Sequence, residues 1–235
     1  MKIHLLLLAL LAVQPTHGEI AAKYTEAAKQ WEPAIQAFEK QDREQSYPSD
    51  SILFMGSSSI RLWTTLARDM APLHVIQRGY GGARFTDLAV FAARIVDPHA
   101  FRAVVIFVAN DIVGGDTDLE PAEIVALFED VVHTVRSKNA DAPVFLVAIT
   151  PTNSRWKVWP QIRAANQALR DSCAAGDRLH FIATEAQFLD AEGVPMRGLF
   201  QDDQLHLNDA GYALWTKIIR ARLEQILGTP PVTDD

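Results

Sequence analysis

The chain has 235 residues, 49% of them hydrophobic and 22% charged, which is enough apolar surface for a sizeable core and excludes a disordered chain. Lysine and arginine total 22 against 29 aspartate and glutamate, for a formal charge of -7, and no basic run is present that would track phosphates. A nucleic-acid partner is therefore not expected.

In chain order, the first segment has the pattern of an export signal. Lys2 supplies a positive start, Leu5 to Val13 are apolar, and Thr16-His17-Gly18 offers a small-residue cleavage site before Glu19. The apolar run is too short to span a bilayer, and no cysteine lies beside the site to carry a lipid. Residues 1–18 are thus expected to be removed from a protein that is periplasmic or secreted, with no transmembrane segment. Residues 19–45 follow as one helix packed on the domain, with Tyr24, Ala28, Trp31, Ile35 and Phe38 on one face.

The main domain is expected over residues 46–228, with a flexible tail at 229–235. Strands are predicted at Ile52 to Met55, His74 to Gln77, Ala103 to Val108, Val144 to Ile149 and Leu179 to Ile182. Helical stripes lie between and after them: Ile124, Leu127, Phe128, Val131, Val132 and Val135, with Asp118 as the N-cap, and Trp215, Ile219, Leu223 and Ile226 at the end. The lone cysteine, Cys173, shares an apolar stripe with Ile162, Ala165 and Leu169 and is expected to be a small core residue.

Strand and helix in alternation imply a parallel sheet, because each parallel connection must cross over one face. The predicted class is α/β: a single three-layer α/β/α domain with a flavodoxin-like five-stranded parallel sheet. Ligands of such sheets bind outside the carboxyl ends of the strands, where the winding reverses.

The polar residues gather at that rim. Gly56-Ser57-Ser58-Ser59 ends the first strand, Gly79-Tyr80-Gly81-Gly82 follows the second, Asn110-Asp111 follows the third, and Asp203-Gln204-Leu205-His206 precedes the last helix. A serine hydroxyl becomes a nucleophile when an imidazole takes its proton and a carboxylate holds that imidazole. A tetrahedral intermediate needs N–H donors aimed at its oxyanion, and Gly82 and Asn110 are suited to supply them. His74 and His180 fall within strand patterns and are expected to be packing or edge residues. Neither HExxH nor clustered Cys and His spacing is present, so no metal is expected; the dinucleotide and phosphate-loop glycine patterns are also absent, so no cofactor is expected.

These blocks resemble the GDSL or SGNH hydrolase superfamily across nearly the whole chain after the signal. The family's Gly-Asp-Ser, followed five residues after the serine by tryptophan, is similar to Gly56-Ser57-Ser58 with Trp63. Gly82 matches the glycine of the second block, Val108-Ala109-Asn110-Asp111 matches Gly-x-Asn-Asp at its last two positions, and Asp203 and His206 match Asp-x-x-His. The resemblance implies a Ser58-His206-Asp203 triad, an oxyanion hole of the Ser58 and Gly82 amides with the Asn110 side chain, and acyl transfer on carboxylic esters. Two departures stand out: Ser57 replaces the acidic residue, leaving Ser57 and Ser59 as neighbouring nucleophile registers, and Val108 replaces a glycine whose turn it is expected to reshape. Asp202 offers a second register for the carboxylate.

Tyr80, Arg155, Trp156 and Trp159 lie near the same rim and are candidates for an acyl or sugar pocket, with local packing as the alternative role. The expected substrates are small-molecule or carbohydrate esters, O-acetyl groups first. Lipase-like acyl hydrolysis, acyl transfer with the same triad, and carbohydrate binding without turnover remain alternatives at this point.

Overall fold

The computed structural model of the chain describes residues 17–229. The apolar run of the expected export signal and residues 230–235 of the expected tail lie outside them.

Five parallel strands form one sheet in the order β2-β1-β3-β4-β5. They are β1 (Ile52–Gly56), β2 (Val75–Gly79), β3 (Ala103–Phe107), β4 (Val144–Val147) and β5 (Leu179–Ile182). In chain order the helices are α1 (His17–Ala28), α2 (Glu32–Glu44), α3 (Ser58–Arg61), α4 (Leu66–Met70), α5 (Phe85–Val96), α6 (Pro121–Lys138), α7 (Trp159–Ala175), α8 (Glu185–Phe188) and α9 (Asp209–Leu227). The expected α/β class and the flavodoxin-like order are both present. The order reverses between β1 and β3, so the rim above those two strands is the switch point where such folds hold ligands.

Burial follows position in the sheet. Every residue of β1, β3 and β4 is buried, as strands covered on both faces must be, while edge strands β2 and β5 are half-buried. Helices α5, α6 and α7 pack in series, with α1 and α2 over α5, and α4 meets α9. Trp63 and Trp215, both with no exposed surface, meet at 5.8 Å, and Trp215 lies edge-on to Phe107 of β3 at 4.7 Å. Aromatic pairs of this kind add about 0.5–1.5 kcal/mol to the area they bury, and here they anchor α9 beneath the rim. Cys173 is in the core, where burial pushes its thiol up to about 12.

Three local expectations are corrected. The helix expected over residues 19–45 is two helices, because Pro33 cannot pack against the carbonyl of Lys29 four residues earlier; that carbonyl instead accepts from Glu32 N–H in a 3-10 turn. Asp118 does not cap α6. Its carboxylate accepts from the N–H groups of Val113 and Gly114 at 2.9 and 2.7 Å, and Glu120 occupies the cap position before Pro121. Val108, expected to reshape its turn, is buried with no positive φ, so the valine costs the backbone nothing there.

Candidate active site

The turn that follows β1 is dictated by Gly56. Its φ is +136°, and a Cβ there would stand 1.9 Å from the Phe107 carbonyl oxygen, so only glycine lets the chain pass β3 this closely. Ser57 N–H then donates to that same carbonyl at 2.9 Å, which pins the start of α3 and puts Ser58 at its first position. Tyr212 of α9 holds α3 from below by donating to the Ser59 carbonyl at 2.9 Å.

A second loop arrives from the far end of the chain. Gln204 adopts φ +54°, a left-handed turn that non-glycine residues rarely take and that costs of the order of 1 kcal/mol. The turn folds the Asp203 carboxylate back over its own loop: Oδ1 accepts from Leu205 and His206 N–H, each at 2.9 Å, and Oδ2 meets His206 Nδ1 at 2.6 Å. His206 Nε2 is then 3.0 Å from Ser58 Oγ, across 148 residues of sequence. Neighbouring contacts hold the turn in place: Ser154 N–H donates to the Gln204 carbonyl at 3.1 Å, and Asn153 Nδ2 donates to Gln204 Oε1 at 3.2 Å.

With Asp203 on Nδ1, the imidazole carries its proton on that nitrogen and leaves Nε2 free to accept from Ser58. Burial raises the Asp203 pKa, but the hydrogen bonds from the His206 ring and from the His206 and Leu205 backbone outweigh it and hold the carboxyl below its ordinary range. Ser57 and Ser59 are 1% and 9% exposed, and Ser58 is the member of the cluster that faces His206. Asp203, not Asp202, meets the imidazole.

Asn110 enters from the end of β3 and lines the same cleft as Ser58 and His206. Its Nδ2 donates to the Ala83 carbonyl at 2.9 Å, and Gly82 stands close by, a Cβ on it lying 4.0 Å from that nitrogen. Asp111, next in sequence, is fully buried and accepts from Phe85 N–H through both oxygens at 3.0 and 3.2 Å, so it caps α5 from across the rim. Burial is the main cause that pushes its pKa up to about 7, against the hydrogen bond from Phe85 and the nearby Arg84.

The cleft encloses about 410 Å³, open solvent at its mouth included. Phe107, Thr150, Thr152, Leu207 and Trp215 form much of its wall, with Arg155 beside Asn110. Of the expected pocket residues, Arg155 is in place, but its guanidinium bonds to the Ala109 carbonyl and to Asn110 Oδ1. Tyr80 is 1% exposed between Trp31 and Phe38, and Trp159 is 4% exposed; both are core residues, which corrects their assignment to a substrate surface. Trp156 stacks on Trp159 at 5.8 Å and packs against the core, which also answers to the local-packing role. Sequence reasoning missed Thr150, Thr152 and Trp215. The two threonines follow β4 at the same rim as the other blocks, whereas Trp215 on a helical stripe carries no signal of a cleft.

Among the described residues no group of three or more His, Cys, Asp or Glu side chains is placed to hold a metal ion, and no helix is long and apolar enough to cross a membrane.

Residues 50–214 match the model of the GDSL-like lipase/acylhydrolase family. No curated protein matches the chain. Among solved structures, a Streptococcus pneumonia protein provisionally named a platelet activating factor is 21% identical, with 86% of this chain aligned to 99% of that one at a TM-score of 0.70. A GDSL-like lipase from Bacteroides thetaiotaomicron is 14% identical over 81% of this chain and 97% of that one, with a TM-score of 0.67. A carbohydrate esterase family 3 protein from Talaromyces cellulolyticus is 16% identical over 76% and 98%, with a TM-score of 0.58. At such identities the likeness is one of fold.

Proposed function

The chain belongs to the GDSL-like lipase/acylhydrolase family, hydrolases of ester bonds, and from that premise we propose that it cleaves small acyl esters through Ser58, His206 and Asp203. The observation that carries this reading is the unbroken relay from Ser58 Oγ through His206 at 3.0 Å to Asp203 at 2.6 Å. His206 Nε2 takes the hydroxyl proton as Ser58 Oγ attacks the ester carbonyl. The oxyanion is received by the Ser58 and Gly82 N–H groups and the Asn110 carboxamide. Collapse of the tetrahedral intermediate expels the alcohol, which takes the proton from His206. Water, deprotonated by the same imidazole, then releases the acid and restores Ser58.

The cleft supports a short acyl group. Phe107, Leu207 and Trp215 supply its apolar lining, and Trp215, itself buried, is locked by donating to Thr150 Oγ1 at 3.1 Å. The fold it shares with an acetyl esterase and with a carbohydrate esterase supports acetyl esters of carbohydrate as the first substrates to try, and the apolar run Leu5 to Val13 behind Lys2 supports export. The test is an ester panel spanning acetylated sugars, short-chain nitrophenyl esters and phospholipids, paired with fluorophosphonate labelling and peptide mapping. Turnover of acetyl esters with label on Ser58 is the expected result. Folded protein that takes no label sinks the mechanism, and a preference for long-chain phospholipid sinks the substrate class.

A further inference from the structure

Resting on the reading of Asn110 as an oxyanion donor, we propose that Arg155 is the positioning residue of this reaction, holding the Asn110 carboxamide so that its N–H is turned to the cleft. Arg155 lies in the 3-10 turn Asn153–Val158 that follows β4, and it lines the cleft beside Ser58. Its two terminal nitrogens are spent on adjacent acceptors of one loop: one donates to the Ala109 carbonyl, the other to Asn110 Oδ1 at 2.5 Å. A guanidinium carries donors only. The Asn110 atom that faces it must therefore be the oxygen, and the nitrogen is forced to the opposite side, where it meets the Ala83 carbonyl at 2.9 Å.

That nitrogen has two hydrogens. Ala83 takes one, which leaves the second for an oxyanion bound next to Gly82. A carboxamide flipped by half a turn would present Oδ1 to both the Ala83 carbonyl and the developing negative charge, a repulsive arrangement at the moment stabilisation is needed. The planar fork on Ala109 and Asn110 prevents the flip, and it does so by contact with the amide and not with substrate. A cation on Oδ1 also polarises the amide, which makes its N–H a stronger donor.

The test measures kcat and KM on p-nitrophenyl acetate for Arg155→Met, Arg155→Lys, Asn110→Ala and the Asn110→Ala/Arg155→Met pair. Loss of an oxyanion donor lowers kcat by about 10²–10³, and loss of its orientation is expected to lower it roughly tenfold to hundredfold, with KM within about twofold of wild type. Lysine keeps the charge but reaches one acceptor, so its kcat should lie between. In the Asn110→Ala background the Arg155→Met change should cost less than about twofold, since no amide is left to orient. Equal losses in both backgrounds, a raised KM with kcat kept, or wild-type kcat in Arg155→Lys each overturns the proposal, and the lysine variant decides it should the methionine variant fail to fold. Wild-type protein that neither hydrolyses esters nor accepts a fluorophosphonate at Ser58 overturns the underlying reading instead; labelled, active wild type beside unimpaired Arg155 variants overturns this inference alone.

Discussion

In the proposed mechanism Ser58 is an ordinary hydroxyl made reactive by what surrounds it. Nothing in its own chemistry distinguishes it from Ser57 or Ser59; the distinction is that β1 and Gly56 deliver position 58 to His206. His206 in turn is useful only in the tautomer that Asp203 selects, and Asp203 is held by its own loop before it meets the imidazole. Such a chain of dependence makes the members act as a unit. Ser58→Ala should lower kcat on p-nitrophenyl acetate by about 10⁵–10⁶, and Ser58→Ala/His206→Ala should be lower still by less than about threefold. Thermal unfolding of both variants, measured alongside, should stay close to wild type. Losses that multiply across the pair would show two independent roles and count against the relay.

At the scale of elements, the site depends on the rim loops being tied to one another, and Asp111 is the tie between β3 and α5. Its buried carboxyl has a pKa near 7 in the fold and about 3.9 in an unfolded chain. The native state therefore holds the proton more tightly than the unfolded state between those values. Its stabilising contribution is fully present below about pH 4 and is lost as pH rises towards 7, at up to about 1.4 kcal/mol per pH unit. Asp111→Asn keeps an acceptor for Phe85 N–H and cannot ionise. Urea unfolding from pH 4 to 8 should show the variant gaining on wild type up to about pH 7 and then running parallel; two parallel curves throughout would refute the titration.

The same scale shows what could be read from residues alone. The strands were legible because short apolar runs stop at turn or helix signals such as Gly56, Gly79, Asn110 and Thr150-Pro151, and the last helix because Trp215, Ile219 and Leu223 recur at helical spacing. What failed was punctuation. A periodicity over residues 24–38 hides the break that Pro33 enforces on Lys29, and an acid ahead of a helical stripe does not reveal that the Asp118 carboxylate is taken by the Val113 and Gly114 N–H groups. That the serine cluster and the Asp203 to His206 segment share one rim was legible from strand ends and a helix start, whereas the choice of Ser58 among three serines, and of Asp203 beside Asp202, came from the resemblance to the family's blocks and not from spacing. The Gln204 turn and the Arg155 fork were not legible, since each depends on a partner 45 or more residues away: Asn153 for Gln204 at 51, Asn110 for Arg155 at 45.

Across the whole molecule, α1 and α2 lie outside residues 50–214, the span that matches the family, yet both pack on α5 and α2 is tied to β2. Arg78 of β2 is 1% exposed and is paired with Asp42 of α2, with Tyr47 and the Phe38 ring around the same guanidinium. Arg94 of α5 forms ion pairs with Glu32 and Glu39 at 2.7 Å each, and the Trp31 ring occupies the space a Cβ on Gly81 would need. The helix pair thus braces the loop that carries Gly82. Breaking a buried pair from one side leaves an uncompensated charge at a cost of about 3–5 kcal/mol, whereas replacing both partners with apolar groups is often close to neutral. Asp42→Ala should therefore lower the unfolding free energy by about that amount in urea titration, and Asp42→Leu/Arg78→Met should recover most of it. Were the helix pair a loosely attached segment, Asp42→Ala would leave both stability and ester turnover unchanged, because Arg78 would find solvent as readily as it finds α2.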